Sequence, residues 1–223
     1  MPYAKIGRRN ETVIPKPGII INFKNNCSYG IFLEKQNRKG GEMDIKKLGI
    51  VIYGKCSHRN GFWEEWLDKA KELIYIIGHT PTHIGVTGTS FSENLRTLKR
   101  CEGKVKAVIS NGEPVQSLSV YSLPKDYHTC LDDNCWLCLS SSHIFEQYKK
   151  YQNYAYCELN FDECNEELAR QIKDMLLGFI EMEECEIFTM DKSKVPFNYV
   201  FKGMGEDTGK YPTLNIIQKI CRS

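Results

Sequence analysis

The chain has 223 residues, 41% hydrophobic and 26% charged, a balance that supports a self-sufficient core and excludes a wholly disordered chain. Lysine and arginine total 30 against 28 acidic residues, and the net charge of +2 is too small to mark a nucleic-acid binder. No run reaches the ~18 apolar residues of a membrane span, and the polar start "MPYAKIGRRNET" has no apolar segment behind it. The expectation is a cytoplasmic protein without membrane contact, whose ten cysteines are reduced thiols used mainly as small buried side chains.

Residues 1–46 read as an N-terminal β-rich arm or hairpin. "TVIPKPGIIINF" gives a prolyl turn and a short strand, "CSYGIFLE" a second, and "KQNRKGGEMDIKK" a polar connector. Residues 47–223 read as a single domain. "LGIVIYG" is a β-branched run between glycines, which predicts a buried strand. In "GFWEEWLDKAKELIYIIG" the residues Trp63, Trp66, Leu67, Ala70, Leu73, Ile74 and Ile77 recur at steps of three and four, which predicts a helix ending at Gly78. "THIGVTG" follows as a strand.

"SFSENLRTLKRCEGKVKAVISNG" predicts a helix opening at Ser90, because Ser90 and Glu93 have the spacing of a capping box. "VQSLSVYSL" alternates as a strand, and residues 124–151 are irregular apart from "CWLCLS". "NYAYCELNF" predicts a strand, "DECNEELARQIKDMLLGFIE" a helix and "CEIFTM" a strand. "FNYVFKGM" reads as extended, residues 203–212 as a flexible loop, and "TLNIIQKIC" leaves its type open. Strands joined by helices lie parallel through right-handed crossovers. The expected fold is therefore α+β or α/β, with a mixed, partly parallel sheet of β–α–β units and helices on at least one face.

Two stretches carry candidate chemistry. In "DYHTCLDDNCWLC" the residues His128, Cys130, Cys135 and Cys138 supply four imidazole and thiolate donors, the number a structural zinc ion takes. Against a zinc site, Trp136 and Leu137 suggest a strand, which would point Cys135 and Cys138 to opposite faces. Buried thiols beside a loop histidine, with no cofactor, are the simpler reading. Asp132 and Asp133 fit either a metal or a turn. In "GVTGTSFSENLRTLKR" a strand turns through small residues toward a helix. Thr87, Gly88, Thr89 and Ser90 would then offer backbone N–H groups and hydroxyls to a phosphate or nucleotide, with Arg96 and Arg100 behind them. The same residues also serve as an ordinary strand–helix turn. "GEDTGK" lacks the spacing of a phosphate loop.

"IVIYG", "WLDKAKELI", "THIGVTG", "LRTLKR", "YCELNF" and "IFTM", between about Leu48 and Met190, together resemble in layout the small α+β immunity proteins of bacterial toxin systems. Residues 1–45 and "HTCLDDNCWLC" depart from that layout. The resemblance implies a non-enzymatic role, in which the chain neutralises a partner protein by binding it in bacterial defence or anti-defence.

Overall fold

The computed structural model describes residues 45–91, 95–141, 152–201 and 208–222, all within the compact unit Ile31–Ser223. The arm expected over residues 1–46 lies outside them except for its last two residues, as do residues 142–151 of the expected irregular middle and residues 203–207 of the expected loop 203–212.

Eight strands are described: β1 (Lys46–Cys56), β2 (His83–Gly88), β3 (Arg96–Thr97), β4 (Val115–Ser122), β5 (Cys135–Ser140), β6 (Asn153–Asn160), β7 (Ile180–Asp191) and β8 (Asn215–Cys221). They form one sheet in the order β3-β2-β4-β5-β6-β1-β7-β8, and every neighbouring pair is antiparallel. The fold is α+β, and the partly parallel sheet expected from the β–α–β order does not form. The reason is adjacency. A helical crossover returns the chain in its original direction without making its two strands neighbours. β6 and β7 do run the same way, but β1 lies between them and pairs antiparallel with both. β3 and β4 are split by β2 in the same manner.

Among the described residues four α-helices accompany the sheet: α1 (Phe62–Ile77), α2 (Leu98–Ser110), α3 (Glu166–Leu177) and the short α4 (Pro196–Val200). In α1 the stripe buries Phe62, Trp66, Leu67, Ala70, Leu73 and Ile74. The Trp66 indole N–H donates to the Leu118 carbonyl at 2.9 Å, which ties α1 to β4. Gly78 ends the helix in the left-handed region at φ 99°, and the His79 N–H returns to the Ile74 carbonyl at 3.0 Å.

α2 starts at Leu98, with Thr97 as its N-cap, rather than at Ser90. Antiparallel pairing displaces the expected first turns. The Phe91 N–H turns back to the Gly88 carbonyl at 3.3 Å, and Arg96 and Thr97 pair with Ile84 and His83. The described start of the segment expected to be extended, Phe197–Val200, is helical instead. Pro196 occupies the first helical turn, and Phe197 and Phe201, four apart, bring their ring centroids within 5.1 Å.

The two sheet faces differ in kind. Leu48, Ile50 and Ile52 of β1 join aliphatic partners beneath α1, α2 and α3. On the opposite face Val51 and Tyr53 join Tyr121, Trp136, Tyr154, Tyr156, Phe188 and Tyr199, an aromatic core against which α4 lies. Each large apolar side chain so buried contributes about 1.5–3 kcal/mol. Gly49 makes this second core possible, because a Cβ there would lie 2.3 Å from the Phe188 ring.

Gly49→Ala is expected to lower stability by about 1–3 kcal/mol through overpacking, seen as a lower denaturant midpoint. Combining it with Phe188→Leu should recover part of that loss, since the two changes share one space.

Candidate functional site

The residues expected to hold zinc are not brought together. Cys135 and Cys138 point to opposite sides of β5, the first into the aliphatic core and the second into the aromatic one. His128 and Cys130 are exposed in the preceding loop. There Asp132 accepts the His128 and Thr129 N–H groups at 2.7 and 2.8 Å, so the aspartate builds the turn. Those hydrogen bonds hold its carboxyl below the usual range. Among the described residues, no group of three or more His, Cys, Asp or Glu side chains is arranged around a metal position.

The expected anion corner is also rearranged. Thr87 and Gly88 end β2, and Thr89 and Ser90 form the bend after it. The Thr89 N–H donates to the Pro114 carbonyl at 3.3 Å, and the Ser90 hydroxyl is taken by the Glu113 carboxylate. Arg96 sits in β3, and Arg100 is exposed in the first turn of α2. The helix N-terminus that would have received a phosphate therefore lies at Thr97, beyond the glycine corner.

All nine cysteines among the described residues are free thiols. Burial pushes Cys56 and Cys164 up to about 12, and Cys138 and Cys185 up to about 11. Thiols of that kind are inert as nucleophiles at neutral pH.

Among the described residues, a group of buried polar side chains lies elsewhere, on the aromatic face. Lys47, with no solvent exposure, reaches from the start of β1 to the loop before β5. Its ammonium donates to the Asp133 carbonyl at 2.8 Å, the Asp133 carboxylate at 3.1 Å and the Asn134 carbonyl at 3.4 Å. Lys192, in the turn before α4, reaches the same Asp133 carbonyl at 3.3 Å. Glu158 of β6, 3% exposed, stands directly opposite Trp136 of β5. It accepts the Tyr156 hydroxyl at 2.5 Å.

A crevice of about 10 Å3, room for roughly one water, opens among these groups. Asp133, Glu158, Lys192 and Trp136 line it on the polar side. Leu131, Val195, Pro196 and Phe197 complete it. Val195 holds φ 53°, a left-handed backbone that a β-branched residue rarely adopts. Such strain is found at functional sites more often than elsewhere. Trp136 is wedged between Tyr121, stacked at 5.2 Å, and Phe197 at 4.3 Å.

Burial raises Glu158 to about 7, and the nearby Asp133 carboxylate adds to the rise while Lys47 opposes it. Burial also raises Asp133, with Lys47 pulling the other way. A carboxyl poised near neutrality in a crevice is a recognised mark of a functional site. Sequence reasoning used Trp136 only as a sign of strand, and it passed over Lys47 and Glu158. Their signal was a charged residue inside an otherwise apolar strand, as in "YCELNF", since such residues are rarely fully buried unless partnered.

Lys47→Met would leave Asp133 buried without its cation and is expected to cost about 3–5 kcal/mol in stability. Asp133→Asn in the same chain should recover part of that loss, as measured by denaturant unfolding. The folded Glu158 holds its proton more tightly than the unfolded chain does. Its stabilisation is therefore complete below the ordinary value of 4.5 and declines as pH rises to about 7. Glu158→Gln, which mimics the protonated form, should flatten that part of a stability–pH curve.

No family model, curated protein or solved structure matches the chain, so the functional reading rests on this geometry.

Proposed function

We propose that the protein is a non-enzymatic binding protein that occludes a partner protein, the role implied by its resemblance to immunity proteins of conflict systems. The carrying observation is the apolar rim around the Asp133–Glu158 crevice. Leu131 is 41% exposed and Phe201 43% exposed, and Phe197 connects the crevice to Phe201. Exposed aromatic and aliphatic side chains beside a polar pocket suit an interface whose centre is apolar and whose pocket gives orientation.

Two further facts support binding over catalysis. The crevice has space for about one water, not for a substrate. The buried thiols are held protonated.

The reading is tested by placing a photo-crosslinking residue at Phe201 in the source cells and identifying what it captures. Leu131→Asp and Phe201→Asp should each weaken the captured complex at least tenfold, about 1.4 kcal/mol, with the melting temperature unchanged. Tyr75→Asp, on the exposed side of α1, should leave affinity intact. Equal capture by the rim variants, or substrate turnover by the purified chain, would remove the reading.

A further inference from the structure

We infer that the outward face of α2, between Lys99 on one edge and Arg100 and Lys104 on the other, docks an acidic helical segment of another protein. α2 packs on the aliphatic side of the sheet, whereas Phe197 of the rim described above packs on the aromatic side. The inference therefore goes beyond the rim reading and stands without it.

α2 buries Leu98, Val105, Val108 and Ile109 and leaves Lys99, Arg100, Gly103, Lys104 and Ala107 exposed. At 3.6 residues per turn, Lys99 and Lys104 stand about 140° apart around the helix, and Gly103 and Ala107 fall between them. The flank of α2 beside α1 is electrostatically complete. Lys106 pairs with Asp68 at 3.1 Å and with Glu102 at 3.3 Å, and Glu102 also meets Lys71. The outward cations have no such partners. Lys99 and Arg100 make no ion pair among the described residues. Lys104 lies 5.5 Å over the Phe91 ring and pairs with no carboxylate among them.

Two choices in α2 cost the helix local stability without serving the fold. Lys99 and Arg100 occupy the first turn, where the helix dipole disfavours cations, and no acidic residue there compensates them. Gly103 sits in the helix interior, where glycine is a poor former, yet a Cβ at that position would meet nothing within 4 Å. Nothing inside the molecule requires the missing side chain. An acidic helix laid on this face accounts for both choices. Its carboxylates take the cations, and Arg100 and Lys104, four residues apart, match glutamates one turn apart. The bare backbone at Gly103 admits a second helix more closely than the usual separation of about 8–10 Å. A nucleic acid suits the face less well. Binders of a phosphate backbone commonly neutralise about 6–10 phosphates, the face offers few cations, and α2 carries no aromatic side chain to stack on a base.

The probe is an alanine-based helical peptide of about 20 residues with glutamate at every fourth position, read by the amide resonances of the full chain labelled with nitrogen-15. The same peptide with lysine for glutamate, and a DNA duplex, are the controls. The Gly103 and Ala107 resonances should move saturably with the acidic peptide, and affinity should fall as salt rises. Lys99→Gln, Arg100→Gln and Lys104→Gln together should weaken binding at least tenfold. Gly103→Leu should raise the melting temperature, because leucine is the better helix former, and still weaken binding at least tenfold. A purely structural role for Gly103 would move only the first of these. If the leucine variant does not fold, Ala107→Leu gives the same readout on binding. An absence of saturable movement, an equal response to the lysine peptide, unchanged affinity in Gly103→Leu, or tighter binding of the duplex than of the acidic peptide overturns the inference. Phe201→Asp should leave this titration unchanged, so failure here is distinct from failure of the rim reading.

Discussion

One lysine without solvent exposure governs the aromatic side of the molecule. Lys47 is the second residue of the interior strand β1, where an apolar residue would ordinarily sit, and its ammonium donates to the Asp133 carboxylate and two carbonyls of the loop before β5. Desolvating both ions is expensive, and the attraction between them is recovered only with good geometry and further hydrogen bonds. The loop is therefore fastened to β1 across the face of β6. The same Asp133 carbonyl meets Lys192, which brings the turn before α4 to the same point. Glu158 experiences the resulting field, and its elevated carboxyl follows from burial first and from Asp133 second.

The two faces perform different work. The helix side is aliphatic and closed by α1, α2 and α3, with Trp66 hydrogen-bonded to a backbone carbonyl. The other side is built from rings that carry hydroxyl and indole groups, and every such group placed inside requires a partner. Tyr156 finds Glu158, Tyr199 finds Glu186 at 2.8 Å, and Tyr53 finds the Val200 carbonyl at 3.1 Å. Glu186 is in turn neutralised by Lys219 of β8 at 2.8 Å. This face is a polar network inside an apolar layer, and Trp136 is the member whose donor has no partner among the described residues.

The local periodicities were readable. The stripe in α1, its stop at Gly78 and the buried runs of β1, β4, β5, β6 and β7 all follow from spacing and residue type. Strand order was not readable, because a crossover fixes direction and leaves the neighbour open; the interposition of β1 between β6 and β7 leaves no local trace. The start of α2 was misjudged because the Ser90–Glu93 spacing competes with pairing of Arg96 and Thr97 to β2, a tertiary effect. The opposed orientation of Cys135 and Cys138 was foreseeable from the strand character of "CWLC". The Glu158 crevice was not, since it depends on β1, β5, β6 and the α4 turn converging.

The central position of β1 also bears on how the chain is made. Leu48 is flanked by Leu159 on one side and Thr189 on the other, so both neighbours of this strand are translated long after it. Until they emerge from the ribosome, an apolar segment with two unsatisfied edges must wait in the cell. Long-range closure of this type is slow and exposes nascent chains to aggregation. Biogenesis should consequently depend on holdase chaperones far more than the finished domain's interior would suggest.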